Sequence, residues 1–261
     1  MEGTNAMLRR FKPTILAIEV INAAVSAFSK SFSPSGPILD IGSYHQPGYE
    51  KWCDRRVLFP GLEYVGCDIR PGPGVDRIEN AHHLSFSDAS FGTVMLLETL
   101  EHLPRPKRAI MEARRVLRSD GLLLLSVPFN YRLHGFPSDY WRFTASGIYQ
   151  MLSDFPWKSV FSAGPALNPA TIIGIAANTQ SQDLVIAQQK LEAELRSQTR
   201  LLCRRLFWCA LHQRSRDLIG LFLGRAEISV TFFDPRQAEY YRPTLPIPDA
   251  ATRTRADESL V

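Results

Sequence analysis

The sequence predicts an α/β fold, with helices on both faces of a mostly parallel sheet, on three observations. Short apolar runs bounded by turn residues alternate with segments of helical period from residue 38 onward. The first run, Ile38–Ile41, stops at Gly42, and the second, Leu62–Asp68, ends on an acidic residue about 26 positions later. The composition suits a packed core: 261 residues, 45% hydrophobic and 21% charged, which excludes disordered, collagenous and coiled-coil chains.

Ahead of the sheet, Leu8, Phe11, Ile15, Ile18, Ile21, Val25 and Phe28 recur every three or four residues. Glu19 and Asn22 interrupt the run, so Met7–Phe28 reads as an amphipathic helix on its own domain rather than a signal peptide or a span. Ser31–Pro37 is a linker by composition. The strands Ile38–Ile41 and Leu62–Asp68 follow, then Val75–Glu79 and Gly92–Leu97. Pro106–Leu117 is a helix stopped by Ser119-Asp120-Gly121. Leu122–Val127 is a fifth strand, Phe129–Phe143 an aromatic and polar loop, Thr144–Leu152 a helix capped by Thr144, and Lys158–Ala163 a sixth strand.

Leu167–Leu223 reads as helical, and its second half is basic. Lys190–Arg225 carries a net +5, more than the +4 of the whole chain. A solvated helix face or contact with a membrane surface both account for such a segment. Ala226–Phe233 reads as a last strand. The division expected is an N-terminal helix and linker over 1–33, a core over 34–165, a basic helical insertion over 166–225, a final strand over 226–241 and a tail over 242–261. Cys53, Cys67, Cys203 and Cys209 show no paired spacing, so they read as free thiols of a cytoplasmic protein.

In an open parallel sheet the ligand lies at the carboxyl ends of the central strands. Gly42 there lets the backbone approach a ligand, and Asp68 at the next strand end can accept both hydroxyls of a ribose, which suggests an adenosine-containing cofactor. The loop Gly42–Gly48 lacks the second glycine of a dinucleotide fingerprint, which argues against hydride chemistry.

The stretches Ile38–Gly42, Tyr64–Asp68, Leu84–Val94, Glu98–Leu103 and Glu112–Gly121 together resemble, in order and spacing, the class I S-adenosylmethionine-dependent methyltransferases, in their type 11 branch. The resemblance covers about Pro37–Val127, and the loop His134–Thr144 is similar to one in a subset of that branch. It implies a Rossmann-like three-layer sandwich with a mostly parallel seven-stranded sheet and a helical insertion before the last strand. It also implies S-adenosylmethionine as cofactor. Asp40 and Gly42 would face its methionine part, Asp68 its ribose, and Asn80, where the family has Asp, with Ala81 its adenine. Leu97 and Glu98 would line the methionine end. Tyr44 in place of the second loop glycine, Gly92 in place of Asp, and Asp120 in place of Gly or Pro depart from the family pattern.

Glu98, Glu101 and His102 fall at i, i+3 and i+4, a spacing that gathers them on one side of a helical turn and suits a divalent cation. The pattern resembles a magnesium site of some O-methyltransferases, with His134 as a further imidazole. The sequence identifies too few ligands for an octahedral oxygen-rich site, so no metal is assigned. His134, His102 and Asp139 are the candidate catalytic groups, with the two imidazoles as candidate bases. Tyr140, Trp141 and Arg142 are candidates for holding the acceptor. The expected reaction is O-methylation of a small-molecule or carbohydrate hydroxyl. RNA 2′-O-methylation and a catalytically silent cofactor-binding scaffold are the alternatives. Nucleic acid is disfavoured, since no basic patch with stacking aromatics is apparent.

Overall fold

A computed structural model describes residues 13–46, 48–135, 137–164, 169–213 and 229–232. Helix α1 spans Pro13–Phe32, so it runs on through residues the composition assigned to a linker. The chain then passes through β1 (Ile38–Ile41), a short α2 (Glu50–Cys53), β2 (Tyr64–Asp68), β3 (Arg77–Ile78) and β4 (Phe91–Leu97). Helix α3 (Pro106–Val116) leads directly into β5 (Leu117–Pro128), and α4 (Ala145–Met151) into β6 (Trp157–Gly164). The last elements are β7 (Thr171–Ala177), α5 (Gln182–Gln213) and β8 (Ser229–Phe232). Thr144 caps α4 as its sequence predicts, its Oγ1 accepting from the Gly147 amide at 3.0 Å.

The eight strands form one sheet in the order β3-β2-β1-β4-β5-β7-β6-β8. β3, β2, β1, β4 and β5 are parallel neighbours, whereas β7 is antiparallel to both β5 and β6 and β8 is antiparallel to β6. This mostly parallel, Rossmann-like arrangement is the one expected, with one strand more. Thr171–Ala177, assigned to the helical insertion over 166–225, is β7 and fills the gap between β5 and β6. All seven of its residues are buried, and its β-branched Thr171, Ile172, Ile173 and Ile175 suit a strand covered on both faces. Among the described residues, the helix between β7 and β8 is α5.

The side chains of the strands alternate between two apolar layers, as a period of two requires. Leu39, Ile41, Leu96, Leu123 and Leu125 face α3 and α4 with Ile110, Ala113 and Ile148. Ile38, Met95, Leu97, Leu124, Phe161 and Ile173 face α1 and the first half of α5 with Phe28, Leu191 and Leu195. The N-terminal helix thus lies on its own domain, with Ile21, Ala24, Val25, Ala27 and Phe28 buried. On α5, Ala187, Leu191 and Leu195, spaced four apart, form the buried stripe against it. Among the described residues no helix is long and apolar enough to cross a membrane. The basic side chains from Arg200 to Arg225, the remainder of the 226–241 segment and the 242–261 tail lie outside the description.

Gly92, one of the departures from the family pattern, has a packing reason. A Cβ there would come within 2.3 Å of Ser35 Oγ and 2.6 Å of its carbonyl oxygen, so the segment entering β1 could not lie across β4 with any larger residue.

Candidate functional site

The strand order reverses between β1 and β4, and in an open parallel sheet the carboxyl ends of the strands at such a reversal are where a ligand binds. At the end of β1, Gly42 has φ +85°, and a Cβ there would sit 2.2 Å from Thr99 Oγ1. That hydroxyl lies 3.1 Å from the carbonyl oxygens of both Ile41 and Leu97, so it ties the ends of the two strands together. The Gly42 and Ser43 amides donate to Cys67 O at 2.7 and 3.0 Å, carrying the ladder into the loop. Tyr44, in the place of the family's second glycine, lies under the Arg70 guanidinium at 4.4 Å, and a Cβ on Gly72 would meet its ring at 2.4 Å. The substituted ring is packed against the segment that follows β2.

Asp68 is buried, and Arg70 donates to its Oδ1 from both the backbone N (2.9 Å) and Nε (3.3 Å). Its Oδ2 has no partner among the described residues, which leaves an oriented acceptor for a ribose hydroxyl. Asp40 is buried on the α1 side of β1 and accepts from Tyr64 Oη at 2.7 Å. Burial pushes its carboxyl above the usual range, opposed by the charge of Arg55. Asn80 Oδ1 accepts from the His82 amide at 2.9 Å and lies 3.1 Å from His82 Nδ1, so the turn itself engages the oxygen expected to meet adenine. The Asn80 side-chain NH2 is the end left for a ligand. Ala81 and Leu97 pack against the two apolar layers.

Arg55 is a site residue that the sequence reading missed. Its Nη1 donates to Cys53 O at 3.2 Å, its Nε is buried with no partner, and its charge acts on both Asp40 and Glu98. A cation between the ends of β1 and β4 suits the carboxylate of an amino-acid ligand. No spacing marks it, since it follows the four-residue α2 in a connection without periodicity.

At the end of β4, Glu98 has φ +50°, a conformation that turns the chain sharply. Its amide donates to Ser126 O at 3.0 Å, and its Oε1 accepts from Ser126 Oγ at 2.8 Å and Thr171 Oγ1 at 3.4 Å. Burial raises its carboxyl pKa. The next residues form only a single 3-10 turn, Leu100–His102. The helical phase that would have aligned Glu98 with Glu101 and His102 is therefore absent, and Glu98 is bound to β5 and β7 instead. The group that does converge is Glu101, His102 and His134.

Glu101 is fully buried, and neither carboxylate oxygen has a hydrogen-bond partner. His102 Nε2 lies 3.7 Å and His134 Nε2 3.8 Å from Glu101 Oε1, and the two rings meet edge to face with centroids 4.7 Å apart. Burial, with the nearby Glu98 charge, pushes the Glu101 carboxyl well above the usual carboxylate range, and burial lowers the pKa of His134.

The loop after β5 holds His134 in place. Asp139 accepts from Arg142 Nη1 at 2.6 Å, Arg142 Nη2 at 2.9 Å and the His134 amide at 2.8 Å. Arg142 also donates to the carbonyls of Tyr131, Arg132 and Trp141. Asp139 and Arg142, expected in catalysis and in holding the acceptor, are thus paired with each other and with their own loop, and the bidentate pairing holds the Asp139 carboxyl far below the usual range. Tyr140 and Trp141 present their rings at the surface, 51% and 43% exposed. The Trp141 Nε1 donates to Leu103 O at 2.9 Å and its ring stacks on Phe143, so one face is fixed while the residue stays accessible.

Residues 54–125 match the family model described as a methyltransferase domain. Among solved structures the chain is similar to a S-adenosylmethionine-dependent methyltransferase of Thermotoga maritima, titled a possible histamine N-methyltransferase. That match has 16% identity and a TM-score of 0.49, and covers 67% of this chain and 96% of that one. A similar protein of Archaeoglobus fulgidus, also titled a SAM-dependent methyltransferase, matches with 16% identity and a TM-score of 0.48 over 61% of this chain and 93% of that one. The 1,6-didemethyltoxoflavin-N1-methyltransferase of Burkholderia thailandensis, solved with its substrate and S-adenosylhomocysteine, matches with 15% identity and a TM-score of 0.45 over 67% and 87%. No curated protein matches the chain.

Proposed function

For a chain that is a class I S-adenosylmethionine-dependent methyltransferase, we propose that the acceptor is a hydroxyl of a small molecule or carbohydrate and that the protein works in the cytoplasm. The residues at these strand ends fit the cofactor: a glycine that keeps the end of β1 clear, a free Asp68 Oδ2, and the unpartnered Nε of Arg55. Bound there, S-adenosylmethionine supplies an electrophilic methyl group on a cationic sulfur.

The observation that carries the hydroxyl reading is the convergence of two imidazole nitrogens on a buried, unpartnered carboxylate at the end of β4. An alcohol, unlike a thiolate or a free amine, has to lose its proton as it reacts, and this cluster offers acceptors for that proton. Asp139, paired with Arg142, fixes His134 from outside, and the burial of Glu101 keeps water away from the reacting pair. The exposed faces of Tyr140 and Trp141 beside it support a flat or sugar-like acceptor, which stacks on aromatic rings. Unpaired Cys53 and Cys67 suit a reducing compartment.

The test is a mass-spectrometric screen of sugars, lipid-linked glycans, phenols, amines and RNA incubated with the protein and labelled cofactor. Label on an oxygen of a sugar or small alcohol, lost in Asp68→Ala, is the outcome expected. Label only on nitrogen, or only on RNA, overturns the proposed acceptor.

A further inference from the structure

The loop after β5 turns apolar side chains outward. Leu133 is 83% exposed, and Tyr140 and Trp141 are exposed as well. The loop is tied in this form. On either side of Leu133, the Arg132 carbonyl accepts from Arg142 Nη2 at 3.2 Å and the His134 amide donates to Asp139 Oδ2 at 2.8 Å. Tyr140 and Trp141 lie between the same Asp139 and Arg142, so one ion pair pins both limbs and the three apolar side chains flank it. The Tyr140 amide donates to Glu101 O at 2.8 Å and Trp141 Nε1 to Leu103 O at 2.9 Å, which docks the loop on the turn after β4. Single exposed hydrophobics are ordinary, but three held on one pinned loop mark a contact surface. The charges around it are of one sign. Across 99–108 and 129–143 the only carboxylates are Glu101 and Asp139, whose side chains are 0% and 3% exposed. Lys107 pairs with Asp154, Arg108 with Glu112 and Arg142 with Asp139, whereas Arg105 and Arg132 are exposed and form no ion pair among the described residues.

We propose that this surface docks on a membrane carrying anionic lipids. An interfacial contact needs an aliphatic side chain to enter the acyl layer, aromatic rings at headgroup depth, and cations to meet lipid phosphates with no outward carboxylate to repel them. Leu133, the Tyr140 and Trp141 rings, and Arg105 with Arg132 supply those parts. The Trp141 N–H is already satisfied by Leu103 O, so its ring enters an apolar layer without leaving a donor unpaired. A second copy of the chain meeting through the same face would bring the same cations together. Resting on the hydroxyl reading above, the acceptor then carries its hydroxyl on a lipid-borne headgroup, where the two rings can stack on it. The docking itself does not depend on that reading.

Flotation of the full chain tests the surface, with vesicles of phosphatidylcholine alone and of phosphatidylcholine with about 30% phosphatidylglycerol. Binding to the anionic vesicles is expected, and it should weaken as salt rises. Leu133→Ser should weaken it about 10-fold or more, and Arg105→Gln combined with Arg132→Gln about 25-fold. S-adenosylmethionine affinity, unchanged in these variants, is the fold control. The Trp141 emission, read as the difference between wild type and Trp141→Phe, should be quenched by acrylamide about twofold less on the vesicles than in buffer. A wild-type chain that floats with neither vesicle overturns the surface. So does flotation that Leu133→Ser and the arginine double variant leave unchanged, which assigns the contact to another segment. Dimerisation lost in Leu133→Ser, with no flotation, overturns it in favour of a second copy of the chain. Docking with label only on soluble alcohols defeats the lipid-borne acceptor, and docking with label only on nitrogen defeats the hydroxyl reading; both leave the docking standing.

Discussion

Two buried carboxylates flank the His134 ring, one on the loop after β5 and one on the turn after β4, and they are treated in opposite ways. Asp139 accepts three charge-assisted or backbone hydrogen bonds, and its pKa falls. Glu101 accepts none, and its pKa rises. Burying a charge without partners costs several kcal/mol, so a fold keeps such a group only where something else repays it. On the function proposed above, the satisfied carboxylate serves the scaffold and the unsatisfied one the chemistry.

The largest effect that separates them is on rate. Glu101→Gln, which keeps shape and removes charge, should lower the rate of methyl transfer by about 10²–10⁴-fold with cofactor affinity unchanged. A loss below tenfold would place Glu101 with the scaffold. Asp139→Ala should act first on stability. It leaves Arg142 without its carboxylate partner, at a cost of about 3–5 kcal/mol measurable by urea denaturation.

The Asp139 pairing also sets a pH limb. A depressed folded pKa gives stability that is present above the ordinary aspartate pKa of about 3.9 and lost as pH falls toward the folded value. The wild type should therefore lose more thermal stability than Asp139→Asn on acidification below about pH 4. Parallel curves would show that the pair contributes nothing. On the cofactor side, Asp68→Ala removes acceptors for one ligand and should weaken S-adenosylmethionine about 10–100-fold by calorimetry. The smallest effect belongs to the exposed Lys30–Glu194 pair between α1 and α5, where Lys30→Met should change stability by less than about 1 kcal/mol.

The cofactor half was legible because its signals are local. The run ending at Gly42, the acidic end of β2 and the alternation of strands with helices each follow from backbone periodicity. The acceptor half depends on geometry that periodicity does not carry. Glu98, Glu101 and His102 have helical spacing, but the left-handed Glu98 and the single 3-10 turn break the phase. His134 reaches the cluster from a loop 32 positions after His102, and the direction of its ring depends on Asp139 and Arg132. β7 was missed for a related reason. Thr-Ile-Ile-Gly-Ile-Ala-Ala is apolar on both faces, so its pattern fits a buried strand and a buried helix equally well.

The packing of α1 on α5 has a bearing on how the chain is made. Lys30 and Glu194 stand 164 residues apart, and Phe28 shares its apolar layer with Leu191 and Leu195. At about 5–20 residues per second, translation leaves roughly 10–30 s between the two helices leaving the ribosome. For that interval one side of the nascent sheet and of α1 lacks its final cover, so α1 is the segment where a chaperone that binds apolar helices should be found on stalled chains.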